Sequence, residues 1–167
     1  MDLHRLRRQA RRDFMKIVVT GYDNIFGPWL MDKVEGHWML NKGITIGLYD
    51  TVLDSPVAAV YYEGCNGASI MLHCAGEGKA WLNREFLWYV FHYPFEELKV
   101  NKIMSPVESD NTDSRRFIEH IGFSLEATLQ DASPKGDLLI YTLAKSDCKW
   151  LNLKDKYRGQ AKGSSST

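Results

Sequence analysis

Ala68-Ser-Ile-Met-Leu-His-Cys74, continued through Gly76-Glu-Gly-Lys-Ala-Trp81, reads as a strand, a glycine-bearing loop and the start of a helix. A second apolar run, Val100 to Val107, is followed by Asn111-Thr-Asp-Ser-Arg-Arg-Phe-Ile-Glu-His-Ile-Gly-Phe123. Residue types mark both ends of that second helix. Asn111 or Asp110 can cap its first amides, Phe117, Ile118 and Ile121 share an inward face, and Gly122 supplies a left-handed C′ position that lets Phe123 fold back on Ile118. Two strand-loop-helix units in tandem make half of a small α/β cofactor-binding domain.

The loop after Cys74 reads in two ways. Glycines at 76 and 78, followed at once by a helix, would aim backbone N–H groups at an anion, with Lys79 adding a full charge. The same pattern also serves as an ordinary strand-to-helix turn. It is neither of two well-known phosphate motifs: a P-loop needs glycine at His73 and Ser or Thr at Ala80, and the dinucleotide fingerprint needs a third glycine at Trp81. A nucleoside triphosphate or NAD is therefore not expected.

Working outward, Ile44 to Val52, Val57 to Glu63 and Ala68 to Cys74 are apolar segments separated by Asp-Ser-Pro and Gly-Cys-Asn-Gly turns, the pattern of an antiparallel meander. Lys16 to Thr20 predicts a further strand, broken by Gly21-Tyr-Asp-Asn24. Pro28 suits a first helical turn, and Trp29, Leu30, Lys33, Val34 and Trp38 predict a helix onward to about Met39. From Trp81 to about Tyr93, Leu82, Phe86, Tyr89, Val90 and Tyr93 form a stripe with Trp88 and Phe91 beside it, so this helix is expected to be buried and to stop at Pro94. Ser124 to Gln130 and Asp137 to Ala144 predict two closing strands. The chain divides into a basic amphipathic helix or arm over 1–15, one domain over 16–153 and a polar, mobile tail over 154–167.

Twenty-one acidic residues balance 21 basic ones, so net charge names no partner. The Arg5, Arg7, Arg8, Arg11 and Arg12 cluster is the only concentration of charge, and it reads either as an arm for an acidic partner, nucleic acid or anionic lipid, or as a solvated helix docked by its leucines. Cys65, Cys74 and Cys148 fit no zinc or C-x-x-C spacing and suit free thiols in a reducing compartment. The five histidines are scattered, so no metal is expected. No Gly-x-Ser-x-Gly elbow offers a serine nucleophile. No segment approaches the ~18 apolar residues of a membrane span, and the expected location is cytoplasmic.

Asn111-x-x-Ser114, Phe117-Ile-Glu-His-Ile-Gly-Phe123 and Leu125-Glu126-Ala127 resemble the signature of the GNAT family of N-acetyltransferases, in the version of ribosomal-protein alanine acetyltransferases and their phage and prophage relatives. Gly136-Asp137-Leu-Leu-Ile-Tyr141 and Cys148-Lys-Trp150-Leu151 resemble the last strand and closing segment of that subgroup. The resemblance covers residues 44–151. It implies an α/β (α+β) fold: a single GNAT-like domain whose central mixed sheet of about six to seven strands is splayed at its centre, with helices on both faces.

The same resemblance implies acetyl-CoA as co-substrate and a primary amine as acceptor: a protein N-terminus, a lysine or a small amine. Backbone groups of Ile70, Met71, Leu72 and His73 would pair with the pantetheine arm. The pyrophosphate would lie on Gly76, Gly78, Lys79, Ala80 and Trp81, with His73 or Ala75 standing where the family has Gln or Arg. Asn111 would bond the cofactor near its thioester, and Arg115 or Arg116 would lie near its phosphates. The family's tyrosine acid is Ile118 here. Ser114 is then the candidate for the leaving sulfur, and Glu108 and His73 are the candidates for the base. The other readings are a catalytically inactive GNAT-fold protein acting as a phage structural or partner-binding component, and a nucleic-acid-binding module; for a phage-encoded chain the expected location is the bacterial host cytoplasm. Trp29 and Trp38 would suit a homodimer.

Overall fold

The structure, a computed structural model, describes residues 16–34, 42–78 and 81–153. The basic arm over 1–15, the Trp38 to Met39 end of the expected helix, Lys79, Ala80 and the tail over 154–167 lie outside the described residues. Seven strands form one mixed sheet: β1 (Lys16–Thr20), β2 (Ile44–Asp50), β3 (Ser55–Glu63), β4 (Ser69–Gly76), β5 (Lys102–Glu108), β6 (Ser124–Ser133) and β7 (Gly136–Ala144). Their spatial order is β1-β2-β3-β4-β5-β7-β6. Every neighbouring pair is antiparallel except β4 with β5. That parallel pair requires a crossover, which the helix after β4 provides.

Three α-helices are described: α1 (Asp23–Lys33), α2 (Arg84–His92) and α3 (Thr112–His120). Strand alternation assigns them to faces. Ala58, Val60 and Tyr62 of β3 join the core with Phe86 and Phe91 of α2 and Ile118 of α3, while Ala59 and Tyr61 pack with Phe26 and Leu30 of α1. A strand buried on both sides loses the polar-apolar alternation of a surface strand, which is why 55–63 reads as a nearly continuous apolar run. The Tyr62 hydroxyl donates to the Val90 carbonyl at 2.6 Å, tying β3 to α2. After β7, Trp150 donates from Nε1 to the Ile121 carbonyl at 2.7 Å and stacks on Phe91, closing the α2–α3 layer.

Two prolines sit differently from the sequence expectation. Pro28 lies inside α1 rather than in its first turn, because the helix begins at Asp23. Its start is fixed by a tertiary contact: Asp23 Oδ1 accepts from both the amide (2.6 Å) and the hydroxyl (2.8 Å) of Thr45 on β2. Pro94 does not stop the helical path after α2 either. The chain continues through a π-helical turn, Tyr93–Glu97, with the proline near its start, where a missing N–H costs nothing.

The α3 ends follow the expectation. Asn111 Oδ1 accepts from the Ser114 amide at 3.0 Å, Gly122 has φ +113°, and the Phe123 amide returns to the Ile118 carbonyl at 3.1 Å. No described helix is long and apolar enough to cross a membrane.

Candidate active site

The parallel β4–β5 pair holds only at its beginning. Ser69, Ile70 and Met71 pair with Lys102, Ile103 and Met104, and there the ladder ends, although β4 continues to Gly76 and β5 to Glu108. Backbone directions follow from bonds at the strand ends. Lys102 N–H donates to the Ala68 carbonyl and Ser109 N–H to the Asp137 carbonyl, so even-numbered residues of β5 face β4 and odd ones face β7. Glu77 N–H donates to the Val57 carbonyl, which turns odd-numbered residues of β4 toward β3 and even ones toward β5.

The next rung would run from the N–H of residue 106 to the Leu72 carbonyl. Residue 106 is proline, which has no N–H to give. Beyond that missing rung no pairing of β4 with β5 is present among the described residues, and the gap is lined by the Leu72 carbonyl and the amides of Cys74 and Gly76 from one side and by the Glu108 amide from the other, the Glu108 carbonyl accepting from Asn111 N–H at 3.0 Å. This shifts the expected main-chain contacts. Groups of Ile70, Met71 and His73 are committed to the sheet, and those left open begin at Leu72.

On the α2–α3 face the gap is closed by apolar packing. Trp81 is 8% exposed and tilts against Phe117 of α3 with ring centroids 5.2 Å apart. Its indole also lies against the Cα of Gly76, where an added Cβ would overlap it. The first loop glycine is thus required by a tryptophan, whatever else passes over it. The loop departs from expectation in a second way. Gly78 takes a left-handed φ of +66°, but α2 begins only at Arg84, capped by Asn83 Oδ1 accepting from Phe86 N–H at 2.7 Å. The helix N-terminus is displaced from the glycines and one of its amides is already satisfied.

The opposite face is open. α1 covers β1 to β3, and among the described residues no helix lies over β5, β7 and β6 on that side. His73, directly opposite Tyr61 in the β3–β4 register, projects onto this face. Its Nε2 is 2.8 Å from Glu63 Oε1, and its ring stacks on Tyr61 with centroids 6.0 Å apart. The Tyr61 hydroxyl donates to Glu63 Oε2 at 3.4 Å, and burial followed by the Glu63 charge raises its pKa, keeping the donor protonated. The Cys74 side chain turns the other way, into the apolar layer, and burial pushes its thiol up to about 12.

The remaining candidates lie at the β5–α3 junction. Ser114 is half-buried in the first turn of α3, and its hydroxyl makes no hydrogen bond among the described residues. Arg115 reaches back to donate from Nη1 to the Ser109 carbonyl at 3.2 Å, while its buried Nε has no partner among the described residues. Arg116 is exposed. Glu108 is held away from the other candidates, because Oε1 accepts from Ser133 Oγ at 2.8 Å and Oε2 lies 3.5 Å from Lys135 Nζ. Sequence reasoning missed Pro106, Glu63 and Tyr61. A proline within an apolar strand run was the available signal for the first; nothing short of the strand register brings the other two to His73.

No protein-family model and no curated protein matches the sequence. Solved structures do. A mutant of the SpeG spermidine N-acetyltransferase from Vibrio cholerae superposes with TM-score 0.66 at 17% identity, covering 83% of this chain and 97% of that one. A GNAT-family acetyltransferase from Bacillus anthracis gives TM-score 0.52 at 17% identity over 61% of this chain and 66% of that one. A putative acetyltransferase from T. thermophilus gives 0.53 at 16% identity over 63% and 60%. At these identities the likeness establishes the fold, which is that of the GNAT acetyltransferases.

Proposed function

We propose that this chain transfers an acetyl group from acetyl-CoA to a primary amine. The observation that carries the reading is the β4–β5 ladder that ends at Met71 and Met104 while both strands continue. It leaves unpaired main-chain groups facing an elongated slot, which is what a pantetheine arm with its amides can occupy in the manner of an added strand. Acetyl-CoA brings the acetyl group as a thioester. The Cys74 amide is the first unpaired donor along the slot and would hold the carbonyl oxygen as negative charge develops on it. Gly76, Gly78, Lys79, Ala80 and Trp81 would flank the diphosphate, and Asn111, Arg115 and Arg116 the other wall. The Ser114 hydroxyl is available for the leaving sulfur.

The acceptor would approach from the α1 face, because Trp81 and Phe117 fill the other. There His73 is the candidate base, whereas Glu108 is engaged by Ser133 and Lys135. The spermidine N-acetyltransferase among the similar folds favours a primary amine as acceptor. A second reading, a phage component that has kept the fold without turnover, is favoured by one observation: Ile118, at the position of the family's acid, is 2% exposed in the core and offers no proton.

Isothermal titration separates the two. Acetyl-CoA is expected to bind saturably at one site per chain and to release CoA when an amine is supplied. No binding up to about millimolar cofactor, equivalent to less than about 4 kcal/mol, would leave only the inactive scaffold.

A further inference from the structure

We propose that Glu63 is a positioning residue that fixes His73 in one tautomer and orientation, so that His73 takes the proton of the attacking amine at Nδ1; the inference rests on the acetyltransferase reading above. His73 supplies the carbonyl half of the peptide whose N–H half is the Cys74 amide. A thioester carbonyl bonded to that amide therefore lies one residue from the imidazole. The imidazole also lies on the face from which an amine can come.

A carboxylate only accepts, so the 2.8 Å contact with Glu63 requires Nε2 to carry the hydrogen. In the neutral ring Nδ1 then holds the lone pair. No partner for Nδ1 is present among the described residues, and the side chain is 25% exposed, enough for an incoming amine to reach it. Orientation is set on two further sides. Tyr61 stacks on the ring at an interplanar angle of 25°, and its hydroxyl occupies the second Glu63 oxygen, so the carboxylate cannot turn away without losing both bonds.

In the transfer step the amine nitrogen bonds to the acetyl carbon, the carbon–sulfur bond breaks with its electron pair leaving on sulfur, and the proton shed by nitrogen moves to His73 Nδ1. Holding a base in the productive tautomer through a carboxylate on its other nitrogen is the logic of a catalytic triad, with the two ring nitrogens exchanged.

The test uses the full chain with 15N-labelled histidine. In the wild type His73 is expected to show a protonated Nε2 and a bare Nδ1. Glu63→Gln is expected to lose that single tautomer and to lower kcat about 10- to 100-fold with the KM for acetyl-CoA changed less than about twofold. His73→Gln should lower kcat at least as far, and adding Glu63→Gln to it should change little more, because the two act as one unit. A protonated Nδ1 in the wild type overturns the proposal without any variant. So does a Glu63→Gln chain that keeps the tautomer or the rate. A wild type that binds no acetyl-CoA and acetylates no amine fails differently: the acetyltransferase reading falls, and this proposal with it.

Discussion

Cys74→Pro is expected to abolish acetyl transfer while leaving the fold standing. Proline in the interior of a sheet ordinarily removes a ladder bond, but the Cys74 amide faces the gap beyond the last β4–β5 pair, Met71 with Met104. The position behaves as a sheet edge, where proline is tolerated. The thermal midpoint should therefore move by only about 5 °C, mainly through the lost packing of the thiol. Transfer should fall about 100- to 1,000-fold, the usual consequence of deleting one donor that meets a developing oxyanion. Cys74→Ala, which keeps the amide, should lose far less. Equal losses in both variants would assign the effect to the side chain and count against the main-chain donor.

Trp81→Ala carries the second large effect, this time on stability. The indole bridges Gly76 at the end of β4, Phe86 on α2 and Phe117 on α3, and so holds the two arms of the gap at a fixed spacing from below. Truncating a buried tryptophan costs about 3–5 kcal/mol, because neighbouring groups collapse only partly into the space. Denaturant unfolding should show that loss. Gly76→Ala should cost about 1–3 kcal/mol by overpacking against the same indole, and less in the Trp81→Ala background, where the obstructing ring is gone. Additive losses would mean that Gly76 and Trp81 do not depend on each other.

What the sequence disclosed and what it hid follow a physical division. Local chemistry was legible: the Asn111 cap, the Gly122 ending and the alternating or fully apolar strand runs are written within a few residues of where they act. Boundaries set across the sheet were not. α1 starts at Asp23 because a carboxylate meets Thr45 on another strand, 22 positions away, and no cap motif announces it. The glycine loop promised a helix at Trp81, yet Asn83 captured the start by capping Phe86.

The site divides in the same way. His73 and Ser114 could be singled out as reactive types near glycines and a helix start. The Glu63 and Tyr61 partners of His73 appear only when β3 and β4 come into register. Pro106 was visible all along as a proline in a strand run, but its meaning depends on which direction its missing N–H would have pointed.

Amide hydrogen exchange along β4, measured with and without acetyl-CoA, tests the parted strands most directly. In the free chain Leu72, the last amide of the ladder, should be protected while Cys74 exchanges rapidly, and saturating acetyl-CoA should slow Cys74 toward the Leu72 rate. A Cys74 amide already as protected as Leu72 in the free chain, or one whose exchange acetyl-CoA leaves unchanged, would contradict the account.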